Sequence, residues 1–181
     1  MSELRVYQDD KPEQPLTVTC DAAEISQQLA DVGVRFERWQ AAQPISAESQ
    51  ADEILAAYAA EIQRLKDEQG YVTVDTMSLA SDHPAKDELR QKFLSEHTHS
   101  EDEVRFFVRG EGIFYLHIAD KVYRALCCKD DLISVPANTT HWFDMGPEPD
   151  FTAIRLFNNP EGWVANYSGS AIADQFPKFE D

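Results

Sequence analysis

Cysteine is scarce in this chain: Cys20, Cys127 and Cys128 are the only three. An odd number with two adjacent does not read as a disulfide framework, and without a CxxC pair a thiolate zinc site is not expected. Basic residues are also few. Sixteen Lys and Arg face 33 Asp and Glu, a net charge of −17. Nucleic acid and anionic membrane surfaces repel such a protein, so neither is expected as a partner. No apolar run reaches the roughly 18 residues that span a bilayer. The opening MSELRVYQDD is charged and has no apolar secretory core, so the reducing cytoplasm is the expected compartment.

What is present suits a folded enzyme-sized unit. The 181 residues are 43% hydrophobic and include ten Phe, which excludes a disordered composition. A chain of this length buries roughly two thirds of its unfolded surface and folds without a staple. One domain over 1–181 is expected, with a helix-rich part to about 93, a barrel core over about 94–169 and a tail from 170.

The first half alternates between strand and helix patterns. LRVYQ at 4–8 reads as a strand, and KPEQP as the turn after it. Asp21 and Glu24 form a capping box for a helix ending near Gly33. VRFERWQA at 34–41 alternates again, with Val34, Phe36 and Trp39 directed to a core. Ile54, Leu55, Tyr58, Ile62 and Leu65 recur at helical spacing, which predicts one helix over 46–69 stopped by Gly70. YVTVDTMSL at 71–79 reads as a strand, and Asp82 as the cap of a helix from about Pro84 to Phe93.

From 97 to 169 the pattern changes to short β runs: EVRFFVR, GIFYLHI, KVYRALCC, DLISVP, HWFDMG, FTAIRLF and WVANY. Gly110-Glu111-Gly112 and Ala119-Asp120-Lys121 read as turns. Strands at roughly ten-residue spacing predict a mainly β sandwich or jelly-roll barrel, with the helices packed outside it. The tail AIADQFPKFED shows no period and reads as loosely held.

The stretch HTHSEDEVRFF at 97–107 carries the chemistry. In an extended chain alternate side chains share a face, so His97 and His99 point together. Parity excludes Asp102 and leaves Glu101 and Glu103. Glu103 is preferred, because it opens a firm apolar strand while Glu101 sits in a loop. Two histidines and a carboxylate leave metal positions open. His141, placed at a strand start by the turn PANTT, is a candidate fourth ligand. His117 reads as an ordinary strand histidine and His83 as a loop residue. Cys127 and Cys128 read as core or edge residues.

These residues resemble the cupin superfamily. His97-Thr98-His99, Glu103 and Gly110 match its first motif, HxHxxxE with a glycine seven positions on. Pro136, Asn138 and His141 match its second motif, PxGxxH, with Asn at the usual glycine; Asn tolerates the left-handed conformation that glycine supplies there. A narrower resemblance, to the acireductone dioxygenases of methionine salvage, rests on HxHxxxExRF, VPANTTHWF and AIRLFNNPEGWVANY. It implies the ligands His97, His99, Glu103 and His141 and one iron(II) or nickel(II) ion per chain. The substrates it implies are acireductone, an ene-diol ketone with a methylthio tail, and dioxygen. Another cupin enzyme, or a non-catalytic small-molecule-binding cupin, is the alternative.

Nitrogen and oxygen donors with open positions suit iron or nickel. An anionic substrate beside a carboxylate in so acidic a protein needs compensating cations. Arg105 shares the Glu103 face and Arg155 comes from another strand; the alternative for each is a surface salt bridge. Phe93, Phe107, Phe143 and Trp163 are candidates for an apolar pocket wall, against the simpler reading of core packing. A monomer is expected.

Overall fold

The computed structural model describes residues 1–159 and 163–179. Twelve strands and four α-helices are found among them. The first half holds β1 (Glu3–Gln8), β2 (Pro15–Thr19), α1 (Ala22–Ala30), β3 (Arg35–Arg38), α2 (Ala51–Ala57), α3 (Ala59–Gln69), β4 (Thr73–Leu79) and α4 (Lys86–Leu94). The second half holds β5 (His97–Thr98), β6 (Glu103–Arg109), β7 (Glu111–Ile118), β8 (Lys121–Cys128), β9 (Asp131–Val135), β10 (Thr140–Asp144), β11 (Phe151–Phe157) and β12 (Asn166–Tyr167). A short 3-10 helix, Ile172–Gln175, follows.

The strands form two antiparallel sheets, ordered β12-β5-β10-β7-β8-β1-β2 and β3-β9-β6-β11-β4. Phe107, Ile133, Phe151 and Ala153 of one sheet pack with Leu4, Phe114, Leu116 and Phe143 of the other in a single inner cluster. This is the expected mainly β cupin barrel. Its strands come from both halves of the chain, however, because β1 pairs with β8 and β4 with β11. The first half therefore supplies sheet as well as external helices.

Away from the edge strands β2 and β12, both faces of each sheet are largely covered. On the five-stranded sheet Val104, Phe106, Ile154 and Leu156 alternate with the inner residues and pack under Ile54, Tyr58, Ile62 and Leu65. On the seven-stranded sheet Tyr7, Tyr115 and Trp142 pack against Ala173 and Phe176. On β6 the outer face is the apolar one, Val104, Phe106 and Val108, while Glu103 and Arg105 share the inner face with Phe107.

Several local expectations need correction. The helix expected over 46–69 starts only at Ala51 and breaks at Tyr58, whose φ of −116° and ψ of 16° are not helical. Ile54, Tyr58, Ile62 and Leu65 are still buried and Leu55 half-buried, and Gly70 ends α3 at φ 75°. Asp21 caps α1 through Ala23 and Glu24 N–H. Its own N–H bonds Thr19 Oγ1, and Glu24 is taken up by the same hydroxyl, so the reciprocal half of the box is missing. Asp82 caps nothing: α4 follows Ala85, which has no side-chain cap, and His83 Nδ1 accepts the Ala85 N–H.

Only Gly110, at φ 74°, turns between β6 and β7; Glu111 and Gly112 are already strand. Of WVANY only Asn166 and Tyr167 are strand, and Pro160–Gly162 of the NNPEGW stretch lie outside the described residues. The tail is docked rather than loose. Phe176 is buried, Tyr115 Oη donates to Pro177 O at 2.5 Å, and Phe179 N–H donates to Asp144 at 2.8 Å.

Candidate metal centre

His97, His99, Glu103 and His141 are all buried, and one donor atom from each falls within 4.8 Å of the others. They come from both sheets. His97 and His141 are direct cross-strand partners on β5 and β10, whereas Glu103 starts β6 of the opposite sheet. The chain from His99 to Asp102 therefore crosses between sheets, and parity does not run unbroken through it. What brings Glu103 to the histidines is the facing of the two sheets.

The crossing is tied down by its backbone and by Asp102. Asn138, at φ 62°, donates its N–H to His99 O at 2.7 Å. Asp102 accepts from Tyr71 Oη at 3.0 Å and Ala137 N at 2.9 Å, and its carbonyl accepts from Trp163 Nε1 at 2.9 Å. A residue read from sequence as mere loop thus joins the two ligand-bearing loops. Glu101 is only half-buried and stands outside the cluster.

Each imidazole is fixed from behind by a carbonyl. His97 Nδ1 is 2.7 Å from Ser95 O, His99 Nδ1 2.9 Å from Val164 O, and His141 Nδ1 2.7 Å from Thr139 O. Carbonyls only accept, so Nδ1 carries a proton in each ring and Nε2 is the nitrogen left to ligate an ion. Glu103 Oε2 lies 2.9 Å from His141 Nε2 and 3.1 Å from His99 Nε2. Three imidazole nitrogens and a carboxylate, pre-oriented on one point, fit a divalent ion and leave it open coordination positions.

The electrostatics agree with a cation site. Burial, reinforced by His141, holds the His97 imidazole neutral down to about pH 4. Burial alone would raise the Glu103 pKa, but the Arg105 charge and the His141 and His99 bonds bring it well below the usual carboxylate value. Burial likewise pulls the His99 pKa down, and Glu103 more than offsets this.

A cavity of about 440 Å³ opens in front of the cluster. Arg105, 4% exposed, donates Nη2 to Glu103 Oε1 at 2.9 Å, while its Nε and Nη1 have no protein partner. Its guanidinium lies 4.5 Å from the Phe143 ring centroid. Arg155 is its direct cross-strand partner on β11. Two opposed guanidiniums repel unless anions balance them. Arg155 is answered on its other side by Asp75 of β4, through Nε at 2.9 Å and Nη2 at 2.6 Å. Arg155 is thus ion-paired with Asp75, and both line the cavity.

Phe93, Phe143 and Trp163 line the cavity. Phe107 does not: it is fully buried in the inner core beside Phe151, where it packs like any core ring. Thr73, Asp75 and Met77 of β4, with Lys92, Phe157 and Tyr167, also line the cavity and were not singled out from sequence. The alternation Thr73, Asp75, Met77 is visible in YVTVDTMSL, but only the pairing of β4 with β11 gives it meaning. His117 stands apart from the cluster, 2.8 Å from Glu96 and 3.4 Å from Asp9. Cys127 is core and Cys128 half-buried.

Two facing antiparallel sheets with a His-His-Glu-His set at one mouth define a metal-binding cupin. A family model described as the ARD/ARD' family matches residues 3–165. "Acireductone dioxygenase" of Pseudomonas aeruginosa is 62% identical over 181 residues, covering 100% of both chains. Its namesake in Alcanivorax borkumensis is 61% identical over 178 residues, 97% of each. A solved structure, "Acireductone dioxygenase from Bacillus anthracis with cadmium ion in active center", is 33% identical with a TM-score of 0.80, covering 92% of this chain and 98% of that one. The chain belongs to the ARD/ARD' family.

Proposed function

We propose that this chain is an acireductone dioxygenase of methionine salvage, cleaving 1,2-dihydroxy-3-keto-5-methylthiopentene with dioxygen. The observation that carries the reading is a single cavity shared by the four ligands, a buried arginine with two free donors, and aromatic walls. The relatives' names support the same substrate. The ligands are His97, His99, Glu103 and His141, and the ion is iron(II) or nickel(II), one per chain. When bound, the ion supplies a Lewis acid and template for the deprotonated ene-diol.

The residues divide the remaining work. Glu103 holds one edge of the Arg105 guanidinium, leaving Nε and Nη1 to donate to the substrate oxyanion. Arg155 adds positive charge across the strand pair, and Asp75 fixes its orientation. Phe93, Phe143 and Trp163 receive the methylthio end and exclude water. Oxygen is incorporated without any other co-substrate: the iron form gives 4-methylthio-2-oxobutanoate and formate, and the nickel form gives 3-methylthiopropionate, formate and carbon monoxide. Both product sets balance substrate plus one O2.

The test is to strip the protein, reload it with one equivalent of iron(II) or nickel(II), and follow acireductone loss under oxygen. Turnover with each metal and different products is expected; no turnover with either overturns the reading. We further take the chain as one domain acting as a cytoplasmic monomer without nucleic-acid or membrane partners. No helix among the described residues is long and apolar enough to cross a membrane. Light scattering checks the monomer.

A further inference from the structure

The helix that walls the cavity is held by the end of the chain. α4 presents Lys92 and Phe93 to the cavity, yet it buries no residue fully and lacks a side-chain cap. Such a helix takes its position from tertiary anchors rather than from its own propensity. Those anchors lie toward β10 and the end of the chain, on the face next to Phe93. Arg90 grips Asp144 of β10 through Nε at 2.8 Å and Nη2 at 3.1 Å, and the Asp144 carboxylate is wholly buried. The same carboxylate accepts the Phe179 N–H at 2.8 Å, and Arg90 Nη2 also donates to Phe179 O at 3.4 Å. Leu94 packs into the cluster that buries Phe176, beside Ile172 and Phe179. Asp144 directly follows Phe143, the ring against which Phe93 packs edge-on at 6.1 Å.

We infer that segment 172–179 is a strap that sets the position of the α4 wall, and that Arg90 and Asp144 are positioning residues pinning strap, helix and β10 together. They touch neither ligands nor cavity. They act through Phe93 on the pocket for the apolar end of the substrate. The assignment of that end as methylthio rests on the proposed function, but the mechanical coupling does not.

Two full-length variants test it. Arg90→Lys keeps the charge and loses the two-pronged grip; Phe176→Ala leaves the pin and removes the strap's anchor. Amide hydrogen exchange is read first, because it needs no turnover. In both variants α4 amides are expected to exchange at least tenfold faster, while β5 and β6 and the metal content stay as in the parent. In metal-loaded protein, KM for acireductone rises by about tenfold, the scale of a lost apolar contact, with kcat within twofold. KM for an analogue lacking the methylthio group stays unchanged. Unchanged α4 exchange in both variants overturns the strap. Loss of metal, or an equal rise in KM for both substrates, overturns the claim that it acts through the α4 wall. If no acireductone is turned over even by the parent, the function reading fails while the exchange result still decides the strap.

Discussion

At the residue scale the choice between two glutamates separates a ligand from a bystander. Glu103 is buried among Arg105, His99 and His141, whereas Glu101 is outside the cluster. Glu103→Ala is expected to abolish stoichiometric metal binding, and Glu101→Ala to leave it intact, as read by metal analysis of the purified variants. Loss with Glu101→Ala alone would reverse the assignment. Arg105 bears a different prediction. Burial lowers its pKa against the pull of Glu103, yet it stays charged because guanidinium is so strong a base. Arg105→Lys keeps one charge and loses the planar fork, so kcat of the metal-loaded enzyme should fall by about 10²–10³-fold, as when one oxyanion donor is lost. Metal content should remain at one per chain.

At the element scale the outer helices are fastened to the five-stranded sheet by charge as well as by apolar packing. Glu37 of β3 accepts from Arg35 Nε at 2.5 Å, Trp39 Nε1 at 2.9 Å and Arg64 Nη2 of α3 at 2.6 Å. Burial alone would raise its pKa, but the Arg64, Trp39 and Arg35 bonds hold it below the usual carboxylate value. A carboxylate depressed in the folded state stabilises above its unfolded pKa, about 4.3, and that stability is lost as pH falls through the folded value. Glu37→Gln should therefore cost about 2 kcal/mol at pH 7 and flatten the fall in Tm on acidification below pH 5, as measured by thermal melts across pH. A variant with the parent's acid limb would assign that limb to other carboxylates. This tie was not legible in RFERW, because Arg64 arrives from a helix 27 positions later.

At the scale of the whole molecule the barrel and the metal are separable. Three apolar clusters hold the sheets together, and none depends on the ion. Removing metal with a chelator should lower Tm while leaving the β signal in circular dichroism. At a free-ion concentration a hundredfold above Kd the stabilisation is about 2.7 kcal/mol. Collapse of the β signal on chelation would show instead that the ion organises the fold.

The donor set, the β character of the second half and the buried face of α2 and α3 were legible in consecutive residues. HxHxxxE and the turn before His141 are local patterns, and local patterns are written in consecutive residues. Burial of Ile54, Tyr58, Ile62 and Leu65 was legible for the same reason, since helical spacing survives the break at Tyr58. How these pieces meet was settled by the packing of the two sheets. It brought Glu103 from one sheet to His97 and His141 on the other, and set Arg155 opposite Arg105 with Asp75 behind it. It sent Phe107 to the core and docked a tail without periodicity against α4 and β10. Alternation on one strand shows which side chains share a face but not what that face meets, and cross-strand partners far apart in the chain leave no spacing to read.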